Sequence, residues 1–545
     1  MNTNSSQMMN FINLFIKESD VSTKKLVFIA ITSSIAESIA LAVILAVAKT
    51  ASSTDLNFRY FLMYVIIVII SIYGKKFTFF QSNLAAETMV RKIKVRIVDK
   101  IRKCDLIFLE TIGLGEIYTK ITTNTQLISM STFMITCGVQ SAILTLFCIF
   151  YIAMLSKLAF FITIIALIVI IMKYMQHEKV FASDYHKVIM LDSKFCDMVN
   201  DTLTGFKELK MNEDRSEDHF SFFTKIVTES ETLNVKALSS FAAKMIFTQT
   251  SFYMLLAATG FILPRLGESY SDLIMAITTV ILFLIGPVNL VIASIPNFFK
   301  VNVSLSALYK LEDMLASKII TKSITDEESL NSFNEIKWEN VTFNYRDKEN
   351  NILFTVGPIN FSIKRGEILF IVGGNGSGKS TLLKLITALY YPDSGNIKLD
   401  NESISYDSYS NYRKLFSAIF ADFHLFDRLY GFKDIDYQKI SQLLKIMKIE
   451  KKIEIKDGQF STINLSTGQK KRIAMIVALL EDKPIYVFDE WAADQDPSFK
   501  KYFYETLLND LKTQGKTVIV VSHDDRYFHH AERVLKMEFG RFDEI

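Results

Sequence analysis

Net charge is the first thing this chain lacks: across 545 residues, 61 Lys and Arg against 58 Asp and Glu leave +3 with histidines neutral. A nucleic-acid binder needs a concentrated cationic surplus to displace counterions, so that class is excluded. Cysteine is scarce as well. The four residues Cys104, Cys137, Cys148 and Cys196 show no C-x-x-C spacing, which argues against a disulfide scaffold or zinc site and leaves small buried hydrophobes. Internal repeats and low-complexity tracts are absent. What abounds is apolar surface, with 50% hydrophobic residues, 44 Phe and 22 Tyr, far more than a disordered chain tolerates. The remaining classes are a large soluble enzyme and a membrane protein.

The position of the apolar residues decides between them. Six stretches in the first 300 residues, near 25 to 48, 59 to 80, 127 to 155, 157 to 176, 238 to 264 and 271 to 299, are long enough to cross about 30 Å of hydrocarbon. The fourth runs LAFFITIIALIVIIM without a charge, which buried helices of soluble proteins rarely do. The first lies behind a polar segment and lacks a small-residue cleavage site, so it is expected to stay as a membrane helix rather than be removed as a signal peptide.

Connections between the six alternate short and long. Counting Lys and Arg, 20 fall in the amino-terminal stretch and the two long connections, against four on the other side. The positive-inside rule places the long connections, the amino terminus and the carboxy-terminal half in the cytoplasm. Glu37 stands mid-span in SSIAESIALAV, where an ionised carboxylate costs about 2.5 to 3.5 kcal/mol. It is expected to face a protein or water-lined interior, with Lys244 as a possible partner and cargo contact as a further role.

Composition switches after Phe299. Residues 301 to 316 read as an amphipathic continuation of the sixth span, 317 to 334 as a polar linker, and 335 to 545 as a soluble α/β domain of short β-rich runs alternating with helical patterns. The first domain is therefore 1–316.

Nucleotide chemistry is written into this second domain. GGNGSGKS, from Gly373 to Ser380, fits the P-loop pattern between the strand ILFIV and the helix STLLKLITAL. Gly373, Asn375, Gly376, Ser377, Gly378 and Thr381 belong to a loop whose backbone N–H groups wrap phosphate oxygens. Lys379 reaches the β- and γ-phosphates, and the Ser380 hydroxyl ligates Mg²⁺. IYVFDE ends a buried strand in two acids: Asp489 to hold Mg²⁺ and Glu490 to orient or deprotonate the attacking water. His523, closing the strand TVIVVSH, is expected at the same sheet edge, against the γ-phosphate.

LSTGQKKRIAMIVALL, from Leu465, resembles the signature motif of ABC-transporter ATPase domains, and the order of spans, P-loop, signature, Walker B acids and histidine resembles an ABC exporter over nearly the whole chain. The resemblance implies a six-helix α transmembrane domain of the type I exporter fold followed by an α/β ABC ATPase domain, with ATP and Mg²⁺ as cofactors. It also implies that Tyr345 in VTFNY stacks on adenine. Ser466, Gly468 and Gln469 would contact the nucleotide of the other subunit, and Asp496 would serve as the D-loop aspartate of a head-to-tail homodimer. The connections near 105 to 120 and 201 to 215 resemble the segments that carry ATPase motion to the membrane helices. Three departures stand out: Thr467 replaces the usual signature glycine, Ala421 stands where the Q-loop glutamine is usual, with adjacent Asp422 a candidate substitute on Mg²⁺, and the stretch from Ala421 to Leu465 is short.

FADFHLFD, TGQKKR and VFDEWAADQDPSFKKYFYETLL look like the bacterial cyclic-peptide and siderophore exporters, whose members resemble transporters for pyoverdine-type siderophores, syringomycin-type lipopeptides and lasso microcins. The implied function is ATP-driven peptide efflux across the bacterial inner membrane. A lipid or lipid-linked-intermediate flippase, or an ATP-gated channel or regulatory membrane ATPase, are the alternatives. An outer-membrane or periplasmic partner is left open.

Overall fold

The computed structural model describes residues 18, 22–50, 58–175, 178–262, 271–319, 332–347 and 350–543, so most of the expected linker lies outside the described residues. The chain divides into two compact units, one of Met1–Asp99 with Leu114–Met314, the other of Lys100–Gly113 with Leu315–Ile545.

The first unit is helical. Its elements are α1 (Thr23–Thr50), α2 (Phe58–Ile101), then, beyond the short α3 (Leu106–Ile112) that belongs to the second unit, α4 (Leu114–Leu155), α5 (Lys157–Met175), α6 (Glu178–Thr204), α7 (Phe206–Met211), α8 (Glu213–Ala257) and α9 (Ser271–Ala316). Five of these are long and apolar enough to cross a membrane, and α5 adds a sixth apolar helix of 19 residues. Only 11% to 33% of each of the five apolar windows is buried in the chain, so most of that surface is left for lipid or a partner. The inner face packs Leu144, Cys148 and Ile152 of α4 against Phe252 of α8 and Ile277, Ile281 and Leu284 of α9. Between α4 and α9 the backbones come so close that a Cβ on Gly138 would overlap the Ser294 hydroxyl, the small-residue contact that membrane helices use where hydrophobicity cannot drive association.

Helices α2, α4 and α8 extend beyond their predicted spans by about four to seven turns, and α9 runs on through the expected continuation to Ala316. Residues 81–101, 114–126 and 213–237 continue the same helices with charged sequence, which reads as a break in hydropathy although helix propensity is uninterrupted.

The second unit holds two sheets. Strands β1 (Glu335–Arg346), β2 (Ile352–Lys364), β3 (Ile368–Val372), β4 (Ser394–Leu399) and β5 (Glu402–Ser403) come first, with helix α10 (Lys379–Ile386) following β3. Next come α11 (Tyr409–Arg413), β6 (Phe416–Ile419), α12 (Tyr437–Ile446), the small hairpin β7 (Ile455–Lys456) and β8 (Gln459–Phe460), and α13 (Thr467–Glu481). The unit ends with β9 (Ile485–Asp489), α14 (Pro497–Tyr502), α15 (Leu508–Thr513), β10 (Thr517–Val521), β11 (Arg533–Glu538) and β12 (Arg541–Asp543).

The expected parallel sheet is present in the order β12-β11-β3-β10-β9-β6, with β12 as its antiparallel edge. Its strands read as unbroken apolar runs because both faces are covered. Phe370, Phe488 and Val520 point into one core, and Leu369, Val487 and Ile519 into the other. A second, antiparallel sheet β2-β1-β4-β5 was not expected. Register shifts along β1, between Trp338 and Val341 among others, break the alternation that would have announced it.

Candidate functional site

The carboxyl ends of β3, β9 and β10 lie on one edge of the parallel sheet and bring together the residues that the motifs single out. The loop from Gly373 to Gly378 leaves buried β3 and enters α10 through a left-handed N-cap at Gly378, φ 103°, a conformation that favours glycine. Gly373 is required sterically, since a Cβ there would strike the Met537 carbonyl. From β12's turn, the Gly540 N–H donates to the Ser377 carbonyl at 2.9 Å, pinning the loop from the other side.

Lys379 is 6% exposed, and its ammonium donates to the Gly373 and Gly374 carbonyls at 3.0 and 2.9 Å. Burial pulls its pKa below the ordinary lysine value, opposed by the carboxylates of Glu490 and Asp489. Ser377 is buried and its hydroxyl has no protein partner. An orphaned buried hydroxyl in a glycine-rich loop at the N-terminus of α10 fits an anionic ligand such as a nucleotide phosphate. Asn375 and Gly376 stand exposed at the loop tip.

Asp489 ends β9 at 3% exposure, with one carboxylate oxygen 3.3 Å from the Ser380 hydroxyl. Burial raises its pKa, the Ala421 N–H lowers it, and the adjacent Glu490 charge raises it again. Two hard oxygen donors this close suit Mg²⁺, which takes few protein ligands and completes its shell with phosphate and water oxygens. No group of three or more His, Cys, Asp or Glu residues suited to a metal occurs among the described residues.

The Q-loop departure acquires a physical meaning here. Ala421 has no side-chain oxygen to offer, yet its backbone N–H is a partner of the Asp489 carboxylate. Asp422 is exposed, and among the described residues no hydrogen bond joins it to Asp489 or Ser380. A backbone donor has no residue-type signature, which is why the sequence reading reached for Asp422.

Glu490 follows with a left-handed backbone, φ 48°, uncommon for a non-glycine residue. Its carbonyl accepts from the ammonium of Lys471, a 3% exposed residue of α13 that also pairs with Asp494 at 2.7 Å. The Glu490 carboxylate lies 3.1 Å from His523 Nε2, and both side chains remain solvent accessible. An accessible carboxylate held against an imidazole at the phosphate end of the sheet is a general-base arrangement open to water.

Ser466 is the N-cap of α13 in a capping box with Gln469, whose N–H donates to the Ser466 hydroxyl while its side chain accepts from the Ser466 N–H. Thr467 is exposed, so its added side chain meets solvent rather than core. Gly468 cannot be enlarged freely, because a Cβ there would lie 2.5 Å from the Asp494 carbonyl. Among the described residues no hydrogen bond or ion pair joins 466–469 to the loop 373–381. Asp496 caps α14 and is pushed down to about 2 by the Ser498 hydroxyl, the Phe499 N–H and the guanidinium of Arg472, which lies 2.6 Å away. Lys471 and Arg472 carry no individual role in the sequence, where they stand only within TGQKKR.

Tyr345 is half-buried, edge-on to Phe343 at 5.2 Å, and its hydroxyl sits between Thr381 at 3.4 Å and Tyr390 at 3.0 Å. In the membrane unit, Glu37 forms an ion pair at 2.6 Å with Lys75 of α2, a residue the sequence reading passed over in favour of Lys244.

Known proteins resemble the chain over most of its length. The ABC transporter family model matches residues 356–493. "ATP-binding protein SyrD" of Pseudomonas syringae pv. syringae is 33% identical over 84% of this chain and 82% of its own length. An "ATP-dependent lipid A-core flippase" of Wigglesworthia glossinidia brevipalpis is 28% identical over 64% of this chain and 61% of its own. In three dimensions, a bacterial Atm1-family ABC exporter solved with ATP bound superposes with a TM-score of 0.76 at 18% identity, covering 95% of this chain and 93% of that one, a likeness of fold.

Proposed function

The chain belongs to the ABC transporters that fuse a membrane domain and an ATPase domain in one polypeptide, and from that premise we propose that it exports a peptide-type cargo from the bacterial cytoplasm as a homodimer, using ATP. The ATPase is coupled to transport in this family. What the reading adds is the cargo, the assembly, the orientation and the role of each site residue.

Two ATP molecules lie in shared sites. Lys379 holds the β- and γ-phosphates, the loop from Gly373 to Thr381 wraps them, and Tyr345 carries the base. Ser380 and Asp489 would hold Mg²⁺, which when bound neutralises charge on the phosphate oxygens. Glu490 orients the attacking water and takes its proton, and His523 contacts the γ-phosphate and steadies Glu490. Ser466 of the partner subunit and Gly468 of the partner subunit close the site from the opposite side. Support for the dimer is that, among the described residues, no hydrogen bond or ion pair joins Ser466 to its own chain's P-loop. Further support comes from exposed Phe206 and Met211 on α7 and from a groove of about 290 Å³ lined by Phe423, Phe426 and Tyr430 together with Arg428 and Glu481, which a second copy would cover.

One observation carries the peptide reading: the ion pair Glu37–Lys75, with side chains 26% and 37% exposed, opens a polar point in otherwise apolar helices. Peptide antibiotics and siderophores combine amide dipoles with apolar side chains, and such a wall suits them better than a uniformly apolar one. The likeness to a lipid A-core flippase keeps a lipid cargo as the second reading.

Inside-out membrane vesicles test the two. ATP-dependent accumulation of a cyclic lipopeptide or lasso peptide, with no stimulated flipping of labelled lipid, is the expected result. Lipid flipping without peptide uptake would replace the first reading with the second.

A further inference from the structure

Helix α3 lies in sequence between α2 and α4, with only residues 102–105 and Gly113 as connections, yet it packs in the ATPase unit. Leu106 and Ile107 rest against the core that contains Tyr390 and Leu383. At the other end of α3, the Glu110 carboxylate accepts from the Lys384 ammonium at 2.9 Å and from the hydroxyl of Tyr390.

Tyr390 is fully buried, its ring stacked on Phe343 at 4.9 Å and 17°, so the hydroxyl has no room to relocate. A phenol has one proton to give. Glu110 can only accept and takes it, so the Tyr345 hydroxyl donates to Tyr390 and the Thr381 hydroxyl donates to Tyr345. The donors therefore point one way, from the residue after Ser380 to the carboxylate on α3. The Lys384 ammonium also donates to the Tyr390 hydroxyl at 3.3 Å and so ties Tyr390 and Glu110 from the side, and the members of a hydrogen-bonded network of this kind polarise one another.

We propose that the Tyr390 hydroxyl is a positioning link through which occupancy of the Tyr345 ring by a nucleobase sets how firmly α3 is held at Glu110. The proposal rests on Tyr345 carrying the adenine. A base stacked on Tyr345 moves the ring that donates to Tyr390, and the change arrives at Glu110, on a helix joined at both ends to membrane helices. The base end of ATP thus reports to α3, whereas the γ-phosphate end reports to Glu490 and His523. Linkage makes the effect reciprocal: a cargo that displaces α3 through α2 or α4 alters affinity for the base by the same factor.

Backbone amide exchange over 106–112, with and without Mg-ATP, tests the link in the full chain in phosphatidylethanolamine/phosphatidylglycerol nanodiscs. Wild type is expected to change its exchange rate by about fivefold on ATP addition, within the range usual for coupled sites. Tyr390→Phe keeps the stacked ring, and Glu110→Gln changes an accessible side chain. Each is expected to lose most of that response while its ATP Kd stays within about threefold of wild type. A wild-type response in either folded variant overturns the link. Tyr345→Ala separates the two claims. If it leaves the ATP Kd unchanged, the adenine assignment fails and the proposal with it; if it weakens binding while Tyr390→Phe still responds, the link alone is wrong.

Discussion

Charge is held in one way at the sheet edge of the ATPase unit and in another between the apolar helices of the membrane unit. Lys379, Asp489 and Lys471 are each at most 6% exposed, and each is gripped by main-chain groups: the carbonyls of Gly373 and Gly374, the Ala421 N–H, and the Glu490 carbonyl. Glu37 and Lys75 grip each other, on two helices. Main-chain groups of a loop are placed by local backbone conformation, so Lys379, held by the carbonyls of its own loop, can be located from a contiguous motif. A charge held by another side chain is placed only by the packing of two helices. The first arrangement suits chemistry that must not drift, and the second suits a wall that rearranges between two states.

The sharpest way to break the comparison is Glu490→Gln. If the motif-placed carboxylate is the base, steady-state ATP turnover in vesicles falls by about 10²- to 10⁴-fold while ATP binding persists. Turnover near the wild-type rate would remove Glu490 from that role. A smaller effect is expected in the membrane. Glu37→Gln or Lys75→Met alone leaves a charge without its partner, whereas the double variant removes both. Thermal unfolding of the four proteins should give a coupling of about 1 kcal/mol, because both groups retain some solvent. Additive effects would mean that the pair is incidental. The smallest effect is expected at Thr467→Gly: the side chain is exposed, so ATPase activity should change by no more than about twofold, and a tenfold gain would show that the threonine throttles the signature.

That difference also explains what could be read in advance. Six apolar helices, the parallel sheet and the grouping of Lys379, Ser380, Asp489, Glu490 and His523 at its edge were legible because each rests on a contiguous run of residues. Ala421 was not, since its contribution is an N–H that any residue but proline supplies. Lys75 hides within an apolar span, and only packing shows that it faces Glu37. Tyr390 reads as one aromatic in ALYYPD, its importance set by a carboxylate on another helix. The antiparallel sheet escaped because its long strands β1 and β2 slip register.

The cradle that will receive phosphate is finished from far downstream. Met537 lies against Gly373, and Gly540 donates both to the loop at Ser377 and, through its carbonyl, accepts from Gly357. A ribosome that has delivered the P-loop and both Walker B acids has therefore not yet delivered a competent nucleotide site. Synthesis at about 5 to 20 residues per second leaves several seconds in which the membrane helices can insert and find partners. The hairpin that pins the loop comes last in the chain, so the nucleotide site is completed only after every membrane helix has been made.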